Sequence, residues 1–132
     1  MEELLKLEKT KEEINLLSPL TWAYIGDCVY ELYIRTILVN KTNLKPHKLH
    51  IETIKYVNAK SQAKFLENIQ SKLTEEEKDI VRRARNAKNY HLPKNVEVQE
   101  YKLATAFEAL IGYLFLTKNY ERIEEIINEN IN

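Results

Sequence analysis

An all-α helical bundle is the fold class that the sequence predicts, and three observations predict it. The 132 residues include only two glycines and three prolines, too few of the turns that a sandwich or barrel of short strands requires. Apolar residues recur every three or four positions, the period of a helix face and not of a strand. Two long segments are apolar almost all round, as central helices are. With 44% hydrophobic and 30% charged residues, the chain can bury a core and is excluded from the disordered class. Its length suits one domain over residues 1–132.

Taken in order, residues 2–16 mix charges with Leu4, Leu5, Leu7 and Ile14, which predicts a short or frayed helix and no signal peptide. Ser18-Pro19 predicts a helix start, because Ser accepts from free amides and Pro fits the first helical position. That helix should run to about residue 39, before Asn40, Asn43 and Pro46 break it. A second helix is expected over residues 46–56, with Leu49, Ile51 and Ile54 facing inside. A third, over residues 60–73, places Ala63, Leu66, Ile69 and Leu73 on one stripe. Thr74 with Glu77 forms a capping box that opens a fourth. Residues 90–95, with Pro93, read as a loop. An apolar helix over residues 97–117 and an amphipathic one over residues 120–131 complete the bundle. The low-charge stretch at 103–116 is shorter than the roughly 20 apolar residues of a membrane span, so no membrane partner is expected. The single cysteine, Cys28, excludes a disulfide framework and fits a reducing cytoplasm.

The chemistry is expected inside the two apolar helices. The acids of the first are Asp27 and Glu31, one turn apart on one face, and the second holds Glu108 as its one charge between residues 103 and 116. An ionised carboxylate there is costly unless it is paired or bound to a cation. The chain's two glycines, Gly26 and Gly112, occupy these same helices. Each costs about 1 kcal/mol relative to Ala inside a helix, so a close helix crossing is the simplest reason for them. Such a crossing would bring Asp27 and Glu108 together. Two converging carboxylates can hold a hard cation such as Mg²⁺, share a proton, or serve as structural ion-pair partners.

The net charge is zero, but the positive charge is clustered. Residues 41–64 contain six lysines against Glu52 alone, and residues 82–102 contain six Lys/Arg against Glu97 and Glu100. Such clusters mark a polyanion site. Arg82, Arg83, Arg85, Asn86 and Lys88, with Lys94 and Asn95 at the end of the 90–95 loop, offer forks and amides suited to the phosphates and 2′-hydroxyls of RNA. For Arg82 and Arg83 the competing reading is a helix end complementing its dipole. Lys60, Ser61 and Gln62 could bind phosphate at a helix start or merely cap it. His47 and His50, three apart, lack a third ligand for a metal. Tyr24, Tyr30 and Tyr33 are candidates for packing and for a dimer seam.

These residues resemble a known family. Residues 23–31, Ala-Tyr-Ile-Gly-Asp-Cys-Val-Tyr-Glu, are similar to the signature helix of the ribonuclease III family. Residues 105–112, Thr-Ala-Phe-Glu-Ala-Leu-Ile-Gly, resemble its second metal-binding helix. Lys45-Pro46, residues 59–63, residues 85–88 and Pro93-Lys94-Asn95 resemble the family's short Mini branch, and the likeness spans residues 17–116. The resemblance implies a ribonuclease III endonuclease-domain-like bundle without a separate double-stranded RNA-binding domain. It also implies a homodimer with one Mg²⁺-dependent site per subunit (Mn²⁺ substituting), which cuts double-stranded RNA and matures the ends of large-subunit (23S) ribosomal RNA precursor. Asp27 and Glu108 match the metal-holding, catalytic acids. Two further family acids are replaced, by Ala23 and by Thr105. Their loss motivates an alternative, an inactive dimer of the same fold that binds structured RNA in ribosome assembly.

Overall fold

The computed structural model describes residues 2–88 and 97–131. Among them are eight α-helices and no strand: α1 Glu2–Leu5, α2 Lys11–Asn15, α3 Pro19–Lys41, α4 Pro46–Val57, α5 Ala59–Ile69, α6 Glu75–Arg85, α7 Val98–Leu116 and α8 Tyr120–Ile131. The expected 90–95 loop, with Lys94 and Asn95, lies outside the described residues. No described helix is long and apolar enough to cross a membrane.

Local signals set the boundaries. The Ser18 hydroxyl accepts from the Leu20 amide at 3.2 Å, with Pro19 in the first helical position. Thr74 and Glu77 form the expected capping box. α5 starts at Ala59 with Asn58 as its cap and passes into a 3₁₀ turn at Gln70–Lys72. The expected stripe of Ala63, Leu66 and Ile69 on α5, continued by Leu73 after the 3₁₀ turn, is buried, and Gln62 is buried with it.

α7 occupies the centre and packs against α3, α5, α6 and α8, with its most extensive contact on α3. Trp22 meets Tyr113 edge-on at 5.3 Å between ring centroids, and Tyr30 meets Phe107 at 5.0 Å. Tyr30 is therefore a core residue and not part of a surface seam; its hydroxyl donates to the Tyr56 carbonyl. Ile51 and Ile54 are exposed, because α4 turns only Leu49, Thr53, Tyr56 and Val57 inward.

The segment around α2 is docked, not frayed. Thr10 and Glu13 form a capping box, Ile14 is buried, and the Trp22 indole donates to the Ile14 carbonyl at 2.9 Å. Tyr113 donates its hydroxyl to the Asn15 side chain. At the opposite side, buried Glu77 accepts two hydrogen bonds from Arg122 on α8, at 2.8 and 2.9 Å. Burial pushes the Glu77 carboxyl up, but Arg122 and the Thr74 amide outweigh it and hold the pKa below the usual value.

Candidate active site

The crossing of α3 and α7 shapes the site. A Cβ on Gly26 would overlap the backbone carbonyl of Glu108 and lie 2.8 Å from the Gly112 nitrogen. A Cβ on Gly112 would overlap the Trp22 carbonyl and lie 2.8 Å from the Gly26 nitrogen. The two helices thus touch backbone to backbone, and no larger residue fits at either position. This is the crossing that the paired glycines predicted.

Asp27 and Glu108 converge at its edge, close enough to share a hydrogen bond. Glu108 is half-buried, whereas Asp27 is exposed, so the pair opens to solvent on the α3 side. Burial pushes the Glu108 carboxyl up to about 8, reinforced by the negative charge of Asp27 and the hydrogen bond between the two, while Gln62 pulls the other way. Glu31 does not join them. It turns to Arg35, with nitrogen–oxygen distances of 2.7 and 2.9 Å.

Among the described residues, neither Asp27 nor Glu108 has a cationic side chain in an ion pair, and no three His, Cys, Asp or Glu groups converge. His47 and His50 are exposed on α4 without a third ligand. The donor set at the crossing is therefore two carboxylates lacking a counter-charge, one of them costly to ionise as it stands. A hard divalent cation that takes oxygen ligands and keeps several waters fits that chemistry.

Gln62, read from sequence as an RNA contact, is 3% exposed. Its Nε2 donates to the Val57 carbonyl at 2.7 Å and lies 3.5 Å from Glu108 Oε2, which takes it out of direct RNA contact and into the site's wall. Sequence reasoning missed this role, although the one polar residue on α5's buried stripe was a signal. Ser61 is likewise committed, its hydroxyl donating to the Lys55 carbonyl at 2.6 Å. Lys60 is exposed.

The other expected RNA contacts divide. Arg83 folds inward, its guanidinium 4.8 Å from the Trp22 ring centroid and donating to the Asn15 carbonyl at 2.7 Å; it is a packing residue. Arg82, Arg85, Asn86 and Lys88 are exposed. A cavity of about 540 Å³ between α6 and the start of α7 is lined by Lys78, Arg82, Arg85, Asn86, Gln99 and Lys102 among others. Asp79 pairs with Arg82 and Glu75 with Lys78, but Arg85 and Lys102 have no ion pair among the described residues. Residues 89–96 contain no acid that could neutralise them. On the outer side of α3, Tyr24, Cys28 and Leu32 form an exposed stripe at one-turn spacing, with Tyr24 78% and Leu32 66% exposed.

Comparison with known proteins gives a consistent result. The family profile described as Ribonuclease III domain matches residues 20–119. The chain is 53% identical over 122 residues to a Mini-ribonuclease 3 of Thermoanaerobacter sp. (92% of this chain, 86% of that protein). It is 50% identical over 120 residues to the Mini-ribonuclease 3 of Staphylococcus aureus (89% and 90%). A crystal structure of a Fusobacterium nucleatum protein superposes with a TM-score of 0.80 at 39% identity, covering 86% of this chain and 93% of that one.

Proposed function

Because the chain belongs to the ribonuclease III family and is an endoribonuclease, we propose that it cuts double-stranded RNA at a divalent-cation site held by Asp27 and Glu108. The observation that carries this reading is the convergence of the two carboxylates across the glycine crossing, with no cationic side chain paired to them among the described residues. Mg²⁺ is the expected ion, with Mn²⁺ as a substitute, on the chemistry of the oxygen donors. When bound, it supplies Lewis-acid polarisation of the phosphodiester and an activated water.

The chain's own residues do the rest. Glu108, fixed on the rigid centre of the bundle, gives one carboxylate a single orientation. Asp27, exposed on α3, presents the other to solvent and substrate. Gln62 steadies Glu108 from α5. The exposed Lys60, Arg82, Arg85, Asn86 and Lys88 are suited to backbone phosphates and position the duplex without reading its sequence. Lys94 and Asn95 extend this set in sequence. The apolar stripe of Tyr24, Cys28 and Leu32 supports a homodimer through α3, which would set two sites side by side for two strands. The resemblance alone carries the narrower substrate, the 23S ribosomal RNA precursor. The inactive RNA-binding alternative yields to the family membership.

The test is cleavage of end-labelled duplex RNA, with and without Mg²⁺ or Mn²⁺, by the wild-type chain and by Asp27→Asn. Losing several kcal/mol of charge stabilisation should slow cleavage about a thousandfold while RNA binding persists. Metal-independent cutting, or wild-type rates from Asp27→Asn, would overturn the reading.

A further inference from the structure

Gln62 stands apart from its surroundings. The other buried positions of α5 are Ala63, Leu66 and Ile69, all apolar. An amide among them is unfavourable unless every polar atom finds a partner, and one does not: the Gln62 carbonyl oxygen Oε1 is buried with no hydrogen-bond partner among the described residues. The same amide has its nitrogen tied to the Val57 carbonyl at 2.7 Å and set 3.5 Å from Glu108 Oε2. The bond to Val57 accounts for the amide nitrogen, but not for a buried, unpartnered carbonyl oxygen on the same group beside Glu108.

We infer that Gln62 is a positioning residue of the carboxylate pair, its amide nitrogen aiming Glu108 toward Asp27 and its carbonyl oxygen serving the bound cation or its water as a further oxygen donor. The inference rests on the cation site proposed above. Its chemistry follows from the charges there. Hard cations accept amide oxygens alongside carboxylates. A third acid would add repulsion to a pair in which one carboxyl is already half-buried, whereas an amide adds an oxygen and no charge. The chain has alanine at position 23 and threonine at position 105, so the crossing itself supplies only the two carboxylates. An uncharged oxygen from α5 adds to that set without raising its charge.

The experiment uses the intact chain and three variants, Gln62→Met, Gln62→Glu and Asp27→Asn. Two readouts are taken without RNA: Mn²⁺ binding by titration calorimetry, and the shift in melting temperature that Mn²⁺ produces. Steady-state cleavage of duplex RNA supplies kcat and KM. Gln62→Met keeps the volume and loses both polar atoms; Mn²⁺ affinity should fall about tenfold and kcat about tenfold or more, with KM little changed, as supporting residues around metal ligands do. Gln62→Glu adds a carboxylate, so it should melt lower than wild type without ions, bind Mn²⁺ more tightly, and show a larger Mn²⁺-induced melting shift. A purely structural residue would lower the melting temperature of Gln62→Met and leave its Mn²⁺ affinity and kcat unchanged, so the loss of affinity in that variant is the deciding readout. Unchanged affinity there, with wild type binding Mn²⁺ and Asp27→Asn losing it, overturns the role of Gln62 alone. Should wild type take up no Mn²⁺, the cation site falls and this inference with it. If Gln62→Met does not fold, Gln62→Asn decides in its place: it keeps an amide but draws it back by one methylene, so Mn²⁺ affinity should fall, and an affinity equal to wild type overturns the role.

Discussion

Replacing Gly112 by alanine tests the geometry on which the site depends. The added methyl would overlap the Trp22 carbonyl, and a backbone carbonyl cannot swing aside as a flexible side chain could. Restoring normal contact requires α3 and α7 to part by roughly 1–2 Å. Overpacking of this kind costs about 3 kcal/mol when the obstacle is rigid. Alanine returns about 1 kcal/mol through its better helix propensity. The net loss is therefore about 2 kcal/mol, or a fall of roughly 6–10 °C in melting temperature for a chain of this length. Parting the helices also draws Glu108 away from Asp27, and a misplacement of that size costs about a hundredfold in rate. Urea denaturation gives the first quantity, and duplex cleavage at a temperature where the variant is fully folded gives the second. A Gly112→Ala protein as stable as wild type would refute the reasoning, since propensity alone makes alanine the better residue.

Other expected outcomes follow from the same contacts. Glu108 has its pKa raised, so the native state retains a proton that the unfolded chain has released. The corresponding stability is present below pH about 4.5 and is lost as the pH climbs through about 8. Ion-free melting curves should show that decline, Mg²⁺ should stabilise more at pH 8 than at pH 5, and Glu108→Gln should flatten the profile. Arg122→Ala leaves buried Glu77 without a counter-charge and without the two hydrogen bonds Arg122 donates and should cost about 3 kcal/mol in urea denaturation. Arg83→Ala should cost about 2 kcal/mol of stability and leave RNA affinity intact, because Arg83 packs on Trp22. Arg85→Ala should do the reverse in filter binding, lowering the slope of log affinity against log salt by about 1.

What could be read from the chain, and what could not, divides on physical lines. Helix starts are written in one or two residues, and Ser18-Pro19 and Thr74 with Glu77 act as their chemistry requires. The Thr10–Glu13 box carried the same signal, but the surrounding charges pointed to fraying. The glycine pair was legible because a costly residue at two matched places needs a reason, and the contact of the two helices supplies it. Side-chain direction was less legible. Arg83 and Arg85 lie two apart in one basic run, yet a helix turns residues so spaced roughly 200° from each other, so one meets Trp22 and the other solvent. Gln62 looked like a surface amide until the position of α7 made it a neighbour of Glu108. Ile51 and Ile54 appeared to belong inside, but α4 rests on the bundle by a single narrow side.

The thiol of Cys28 stands on the outer side of α3 beside Asp27, between Tyr24 and Leu32, and it is the chain's one sulfhydryl. A symmetric pair built through that stripe would cover it, whereas separated copies leave it open to a maleimide. The rate of alkylation across a dilution series would therefore follow separation of the copies, without any engineered cysteine.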